Sequence, residues 1–197
     1  NEKFEFITNS QEPFINIMFQ YKQFSSISFY NLTPMINVYF KPNERVINTM
    51  NILQEKYNIN CDNTIAIYYR GTDKHIETNL GTKEIFEEKI SSIMNNNRNL
   101  KLLIQSDSQQ FIDYYKEKYP DIIFINENLT SYKGDGIHRE IKDTGLNYEK
   151  MFYLMATFLI ISKCKYFICN SSNCSLWISL YRGHGDNIHQ YLNGEWV

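Results

Sequence analysis

The chain has 197 residues, of which 43% are hydrophobic and 21% charged, with a formal net charge of −2. This composition predicts a packed domain rather than a disordered chain. The near-neutral charge gives no field that would attract nucleic acid or an anionic membrane surface. The longest apolar stretch, residues 151–161, is too short to span a membrane. We therefore expect a globular domain that does not bind nucleic acid and has no transmembrane segment.

Regular elements are predicted mainly from residue 46 onward. The first 44 residues carry scattered apolar side chains between prolines and predict no clear element. Beyond them, apolar runs alternate with amphipathic segments. Predicted strands cover 64–69, 100–105, 122–125 and 165–169. Predicted helices cover 46–57, 82–97, 109–119 and 147–163, and a final helix follows the turn at 170–173 and ends near residue 182. A long polar loop over 126–146 is expected to be functional or mobile.

Strands that alternate with helices predict an α/β fold with right-handed crossovers. We expect a Rossmann-like, mostly parallel sheet with helices on both faces. Arg70, Asp107 and Ser171 each follow a predicted strand directly. A parallel sheet would bring them to one edge, and ligands of open α/β sheets bind at the carboxyl ends of the strands. This convergence predicts a binding site there.

The residue types at that edge suit an anion, although each also has a simpler explanation. Arg70 can grip a phosphate or carboxylate with two hydrogen bonds, or it can form an Arg–Asp pair that only fixes a loop. Ser171 and Ser172 stand where hydroxyls and free N–H groups bind phosphate, or where a serine caps a helix. Asp107 is either near a ligand or the cap of the next helix. Both interpretations stay open for each residue.

Several common sites are not supported by the sequence. The chain has no P-loop, no G-x-G-x-x-G and no G-x-S-x-G motif, which argues against P-loop, dinucleotide-binding and serine-hydrolase sites. No cysteines form a C-x-x-C pair, and the spacing of His184 and His189 matches no strong metal motif. Reduced, buried thiols are expected, which favours the cytoplasm and leaves a secretory lumen open. The cysteines are Cys61, Cys164, Cys169 and Cys174.

Four segments resemble those of a known enzyme family. The segment 68–74, Y-Y-R-G-T-D-K, resembles the H-x-R-R-x-D-K segment of the α1,6-fucosyltransferases and their relatives, the nodulation and protein O-fucosyltransferases. Residues 103–120, 136–139 and 161–173 are similar to further family segments. The segment 103–120 resembles a family strand, its acidic turn and a helix that ends in K-Y-P. The segment 136–139 resembles a G-L-H-x-R piece, and 161–173 resembles a strand followed by a Ser-Ser turn. The resemblance covers roughly residues 62–183.

The resemblance implies a GT-B glycosyltransferase of which this chain is mainly the C-terminal, donor-binding half. Residues 61–197 would form the nucleotide-sugar-binding Rossmann-like domain. Residues 1–60 would pack on it as a remnant of the acceptor-side half, and the start at Asn1 rather than Met fits a piece of a longer protein. The implied reaction is an inverting transfer of fucose from GDP-fucose to a glycan or protein hydroxyl, without a metal or other cofactor. A different nucleotide sugar, or a non-catalytic nucleotide- or glycan-binding module, remains as an alternative.

The resemblance also implies roles for individual residues. Arg70 would hold the β-phosphate and neutralise charge as GDP leaves, and Ser171 and Ser172 would add hydrogen bonds to phosphate. Glu77 would be the general base that takes the acceptor's proton. It lies one position off the family spacing.

The remaining donor-site residues follow in the same way. Asp73 and Lys74 would order the loop or touch the donor, and Asp107 would lie near the nucleotide. Tyr68 replaces the family's histidine in the donor site. Thr157 stands where the family has an aspartate that contacts guanine.

Overall fold

The computed structural model describes residues 19–97, 99–132 and 144–197. Within these ranges, five strands form one sheet in the order β2-β1-β3-β4-β5. The first four run parallel, and β5 pairs antiparallel with β4. The strands are β1 (Thr64–Tyr69), β2 (Lys101–Ser106), β3 (Tyr166–Asn170), β4 (Ile188–Leu192) and β5 (Glu195–Trp196). The predicted α/β class with a mostly parallel sheet is confirmed.

The same ranges contain six α-helices. They are α1 (Phe29–Tyr39), α2 (Glu44–Lys56), α3 (Lys83–Asn96), α4 (Gln109–Lys118), α5 (Thr144–Lys163) and α6 (Asn173–Arg182). Thr82 caps α3, because its hydroxyl accepts a hydrogen bond from the backbone N–H of Ile85. Helix α6 ends at Gly183, whose φ of 73° is the left-handed conformation in which glycine terminates helices.

Helices cover both faces of the sheet, as predicted. Alternate residues of β1 point to opposite faces. Ile65 and Ile67 pack in one apolar cluster with side chains of α3 and α4, whereas Ala66 and Tyr68 pack in a second cluster with side chains of α5 and α6. Helix α2 belongs to the second cluster and lies against α5. Both faces of the sheet are therefore packed against helices.

The structure differs from the prediction at one strand and one helix. The predicted strand over 122–125 is wrong, because only Ile123 forms a β-bridge, to Leu103. The carbonyl of Ile125 accepts from the Gln105 side chain instead of from a neighbouring strand. Helix α1 was not predicted, and Pro34 lies inside it, which hides the helical pattern in the sequence.

The last 15 residues fold as more than a tail, contrary to the prediction that the final helix is the last element. Strands β4 and β5 form a hairpin around Asn193 and Gly194, whose φ values are 54° and 97°. An Asn-Gly pair between strands is a strong hairpin signal, because both residues adopt positive φ readily. The pattern was present in the sequence and would have predicted this turn.

Other expectations concern the middle of the chain. Helix α5 begins at Thr144, within the predicted loop of 126–146. The rest of that loop from 133 to 143, with the G-I-H-R piece at 136–139, lies outside the described residues. No helix in the described ranges is both long and apolar enough to cross a membrane.

A pair of isoleucine substitutions tests this layered packing. Ile67→Ala should lower the free energy of unfolding by about 2–5 kcal/mol, because it opens a cavity at a fully buried site. Ile52→Ala is the matched control, and it should change that free energy by within about 0.5 kcal/mol because Ile52 is largely exposed on α2. Denaturant unfolding measures both. Equal effects would contradict the assigned positions.

Candidate functional site

The predicted convergence at the carboxyl edge of the sheet is confirmed. Strand β1 lies between β2 and β3, with Tyr69 beside Ser106 and Tyr68 beside Cys169. Arg70 follows β1, Asp107 follows β2, and Ser171 follows β3. Three residues that lie far apart in the sequence thus start neighbouring turns on one rim.

Asn170, which the sequence analysis did not single out, ties two of these turns together. Its side-chain oxygen accepts from the Arg70 backbone N–H at 2.9 Å, and its amide nitrogen donates to the Arg70 carbonyl at 2.8 Å. Asn170 is fully buried. These two hydrogen bonds join the Asn170 side chain to the Arg70 backbone just beyond the paired residues of β1 and β3. They fix the backbone of Arg70.

The Arg70 guanidinium contacts two carboxylates and a thiol. Its Nη2 donates to Asp73 Oδ1 at 2.8 Å, and its Nε forms an ion pair with Asp107 Oδ2 at 2.7 Å without the alignment of a hydrogen bond. Its Nη1 lies 3.8 Å from the Sγ of Cys174, a second residue that the sequence analysis missed. A quarter of the Arg70 side chain is exposed. Burial lowers the pKa of Arg70, but the nearby carboxylate of Asp107 raises it, and the net pKa lies above the usual value. Arg70 therefore stays positively charged.

Asp107 holds the turn after β1 in place. Its Oδ1 accepts from the Gly71 N–H at 2.6 Å, and its Oδ2 accepts from the Thr72 hydroxyl at 2.8 Å. Its role as a helix cap is wrong, because Ser108 caps α4 by accepting from the N–H of Phe111. Asp107 is therefore the link between the two turns.

Gly71 occupies the position where the resembling family has a second arginine. A Cβ at this position would lie 2.6 Å from the Tyr69 ring and 2.9 Å from Ser108 Cβ. Those contacts are too close for any side chain without movement of the turn. This turn therefore accommodates glycine at position 71 and no larger residue as it stands.

Lys74 and Glu77 lie in the next turn and form a polar cluster with the N-terminal segment. The Lys74 ammonium is buried and donates to Glu77 Oε2 at 2.5 Å and to Gln20 Oε1 at 3.0 Å. The Tyr21 hydroxyl also donates to Glu77. Partial burial raises the pKa of Glu77, but hydrogen bonds from Lys74 and Tyr21 outweigh it and leave that pKa below its usual value. In this arrangement Glu77 is a weak base.

The two serines use their hydroxyls inside the protein. The buried Ser171 hydroxyl donates to the Tyr191 carbonyl at 3.2 Å and accepts from the Gln190 side chain at 2.8 Å. Ser172 caps α6 by accepting from the N–H of Ser175 at 3.1 Å. The capping interpretation is confirmed for Ser172. The Ser171 hydroxyl joins β3 to β4.

Tyr68 and Thr157 lie beneath the edge rather than on it. The Tyr68 ring packs edge-to-face on Phe158 with 5.4 Å between centroids, and burial raises the pKa of its hydroxyl strongly. Thr157 is fully buried and donates to the Tyr153 carbonyl at 2.8 Å. It also accepts from the Asn128 amide at 2.8 Å. Thr157 thus belongs to a buried polar cluster in which the Asn128 side-chain oxygen has no hydrogen-bond partner among the described residues.

Two surface grooves lie among the described residues. They lie at the opposite, amino-terminal edge of the sheet, one beside Leu100 and Lys101 and the other beside Lys165 and Arg182. In the part of the chain that the structure describes, no cluster of three His, Cys, Asp or Glu side chains is arranged to hold a metal ion. Charges and hydrogen bonds of the described residues define the candidate site.

Comparisons with known proteins give a limited result. No protein-family model and no curated protein sequence matches the chain. The chain is similar to a solved structure of NodZ alpha-1,6-fucosyltransferase co-crystallized with GDP, with 13% identity and a TM-score of 0.49 over 79% of this chain and 47% of that chain. A NodZ structure soaked with GDP-fucose gives 13% identity and a TM-score of 0.48 over 79% of this chain and 48% of that chain. The chain spans about half the length of these structures.

The two carboxylates on Arg70 provide a matched test of what holds the edge together. Asp107→Ala should lower the free energy of unfolding by about 2–4 kcal/mol, because it removes a buried anion and leaves the Gly71 N–H and the Thr72 hydroxyl without their acceptor. Asp73→Ala, at the more exposed carboxylate, should cost only about 0–1 kcal/mol. Urea unfolding at neutral pH measures both. A larger cost for Asp73→Ala would contradict the assignment of Asp107 as the main link.

Proposed function

We propose that this chain is the donor-binding half of a GT-B glycosyltransferase of the fucosyltransferase-like type. It would catalyse inverting transfer from a GDP-linked sugar, with GDP-fucose as the leading candidate, to a hydroxyl of a glycan or protein. The proposal rests on four family-like segments in register along the sequence. The observation that carries it is the fixed, partly exposed Arg70 cation at the carboxyl edge of a parallel sheet.

Arg70 can serve a diphosphate without leaving its present partners. A guanidinium has five N–H donors, and the carboxylates of Asp73 and Asp107 lie against only Nη2 and Nε. Donors on Nη1 and Nη2 are thus left for phosphate oxygens. A cation already held in place by Asp107 and Asn170 would need little reorganisation as negative charge develops on the departing GDP. This arrangement would supply the charge neutralisation that a metal ion supplies elsewhere, so no metal is proposed.

The remaining residues would support Arg70. Asp73 and Lys74 would order the loop after β1, and Asp107 would hold the same loop against β2. The Ser171 and Ser172 hydroxyls are engaged internally, and the Ser171 N–H donates to the Tyr191 carbonyl at 3.2 Å. A contribution to a phosphate would therefore come through N–H groups in the first turn of α6. Tyr68 would support the site by packing beneath it against Phe158.

We also propose the domain division implied by the resemblance, with residues 61–197 as the nucleotide-sugar domain and residues 1–60 packed on it. Contacts across this division support the packing. The Lys74 ammonium reaches Gln20, and the Phe24 N–H donates to Gln190 Oε1 at 2.7 Å. The N-terminal segment would therefore complete the loop that carries Glu77.

A non-catalytic nucleotide- or glycan-binding module is the second candidate. The specific observation in its favour is Glu77, whose low pKa and bonds to Lys74 and Tyr21 suit a structural carboxylate better than a general base. Transfer would require this carboxylate to exchange its partners for the acceptor hydroxyl. The same fold with another nucleotide sugar is a third candidate, because Thr157 replaces the aspartate that contacts guanine in the resembling family.

Binding of GDP tests the role of Arg70. At roughly a hundred times its dissociation constant, GDP should stabilise the wild-type chain by about 2.7 kcal/mol and raise its melting temperature by about 5–10 °C. Arg70→Ala should abolish this shift, and Arg70→Lys should keep only part of it because it loses the planar donor pair. Each variant is compared with its own ligand-free melting temperature.

Arg45→Ala is the control for this measurement, since Arg45 is a half-exposed arginine on α2 that pairs with Glu149 away from the edge. It should keep the full GDP shift. An undiminished GDP shift in Arg70→Ala would contradict the phosphate role. A shift with UDP but none with GDP would replace the GDP-linked donor by a UDP-linked one.

Release of GDP from GDP-fucose tests whether the site is catalytic. Wild-type protein should release GDP faster than buffer does, and Glu77→Gln should slow this release by about 10²–10⁴-fold while keeping the GDP melting shift. Glu127→Gln is a matched control, because Glu127 likewise bonds a lysine and a tyrosine, Lys56 and Tyr57, and has a lowered pKa. A wild-type chain that binds GDP but releases none from GDP-fucose would favour the binding module.

A further inference from the structure

Two cysteines meet at the amino-terminal edge of the sheet, opposite the candidate site. Cys61 precedes β1 and Cys164 precedes β3. Their backbones are joined where the N–H of Lys165 donates to the carbonyl of Cys61 at 2.8 Å. Both sulfurs also contact one backbone atom, the carbonyl oxygen of Ile160, at 3.7 Å from Cys61 and 3.3 Å from Cys164. Both cysteines are free thiols.

The surroundings make the two thiols chemically different. Cys61 is half-buried, and its sulfur accepts a hydrogen bond from the Gln54 amide at 3.4 Å. A hydrogen bond from the Cys164 thiol, together with the charge of Lys163, lowers the pKa of Cys61. The bond to Cys61 and full burial raise the pKa of Cys164. Cys61 is thus the accessible, more nucleophilic sulfur, and Cys164 is a protected partner beside it.

We propose that Cys61 and Cys164 form a reversible dithiol–disulfide site whose oxidant is a small-molecule disulfide such as glutathione disulfide. The Cys61 thiolate attacks one sulfur of glutathione disulfide, breaks its S–S bond and releases one glutathione as thiolate. The Cys164 sulfur then attacks the Cys61 sulfur of the mixed disulfide and displaces the second glutathione, which takes the Cys164 proton. The cysteines lose two electrons, and one glutathione disulfide becomes two glutathione molecules.

The other two cysteines lack this arrangement and serve as an internal comparison. Cys169 is fully buried within β3, where burial raises its pKa. Cys174 is half-buried like Cys61, but its sulfur lies beside Arg70. If exposure alone decided reactivity, Cys174 would react with glutathione disulfide as Cys61 does and keep the adduct.

The test uses the whole chain, reduced and then incubated with excess glutathione disulfide at neutral pH. The thiol count in denaturant should fall from four to two, the intact mass should fall by that of two hydrogen atoms, and peptide mapping should find Cys61 joined to Cys164. Dithiothreitol should restore all four thiols. A persistent glutathione adduct on Cys61, a different cysteine pair, or no reaction would each overturn the proposal.

Serine variants separate the two steps. Cys164→Ser should trap a glutathione adduct on Cys61, and Cys61→Ser should leave Cys164 unmodified because it is buried. Cys174→Ser should form the cross-link as the wild type does. Far-ultraviolet circular dichroism checks that each variant is folded. If a variant does not fold, the wild-type peptide map still decides the proposal. Because no nucleotide is needed, the result is independent of the glycosyltransferase proposal.

Discussion

The ion pair between Arg70 and Asp107 is the interaction on which the carboxyl edge of the sheet depends. Neither charge is well hydrated, since three quarters of the arginine side chain and nearly all of the aspartate side chain are buried. Burial of this kind is costly unless each charge has a partner and its remaining polar atoms are bonded. Gly71 and Thr72 donate to the Asp107 carboxylate, and Asp73 accepts from the Arg70 guanidinium. Asn170 holds the backbone of Arg70 in place. The turn after β1 is therefore shaped around the charge pair.

The balance of charge at the edge limits what can bind there. Among the described residues, Arg70 and Lys74 contribute two positive charges, while Asp73, Glu77 and Asp107 contribute three negative ones. These five charges together attract an anion little at long range, so their contribution to the proposed binding of a diphosphate would come from directed hydrogen bonds to Arg70. Recognition at this edge would therefore be short-range and sensitive to geometry.

Much of the scaffold, and the place of the site, could be predicted from the sequence. The run at 64–69 is apolar and β-branched, Thr82 is a standard helix cap, and the alternation of strands and helices fixes which strand ends meet. The partners of the side chains could not be predicted in the same way. Whether Arg70 pairs with Asp73 or Asp107 depends on rotamers, and the clamp made by Asn170 depends on the register of β1 against β3. Cys174 reaches Arg70 only because α6 begins at that edge.

The serines show how one missed element changes the interpretation of a motif. Ser171 looks like a free hydroxyl as long as β4 is absent from the prediction, since its partners Gln190 and Tyr191 lie on that strand. The Asn193-Gly194 signal was sufficient to find the hairpin. Without β4, no partner can be assigned to the Ser171 hydroxyl.

Gln190 has a consequence for how the chain can be shortened. Its buried amide donates to the carbonyl of Lys22 and to Ser171, and its oxygen accepts from the N–H of Phe24. One side chain thereby connects a central parallel strand, the turn before α6 and the residues ahead of α1. A fragment trimmed back to the first strand would lose the Lys22 carbonyl and the Phe24 N–H, and with them one partner at each end of this amide. The sheet is therefore tied to residues well upstream of its first strand.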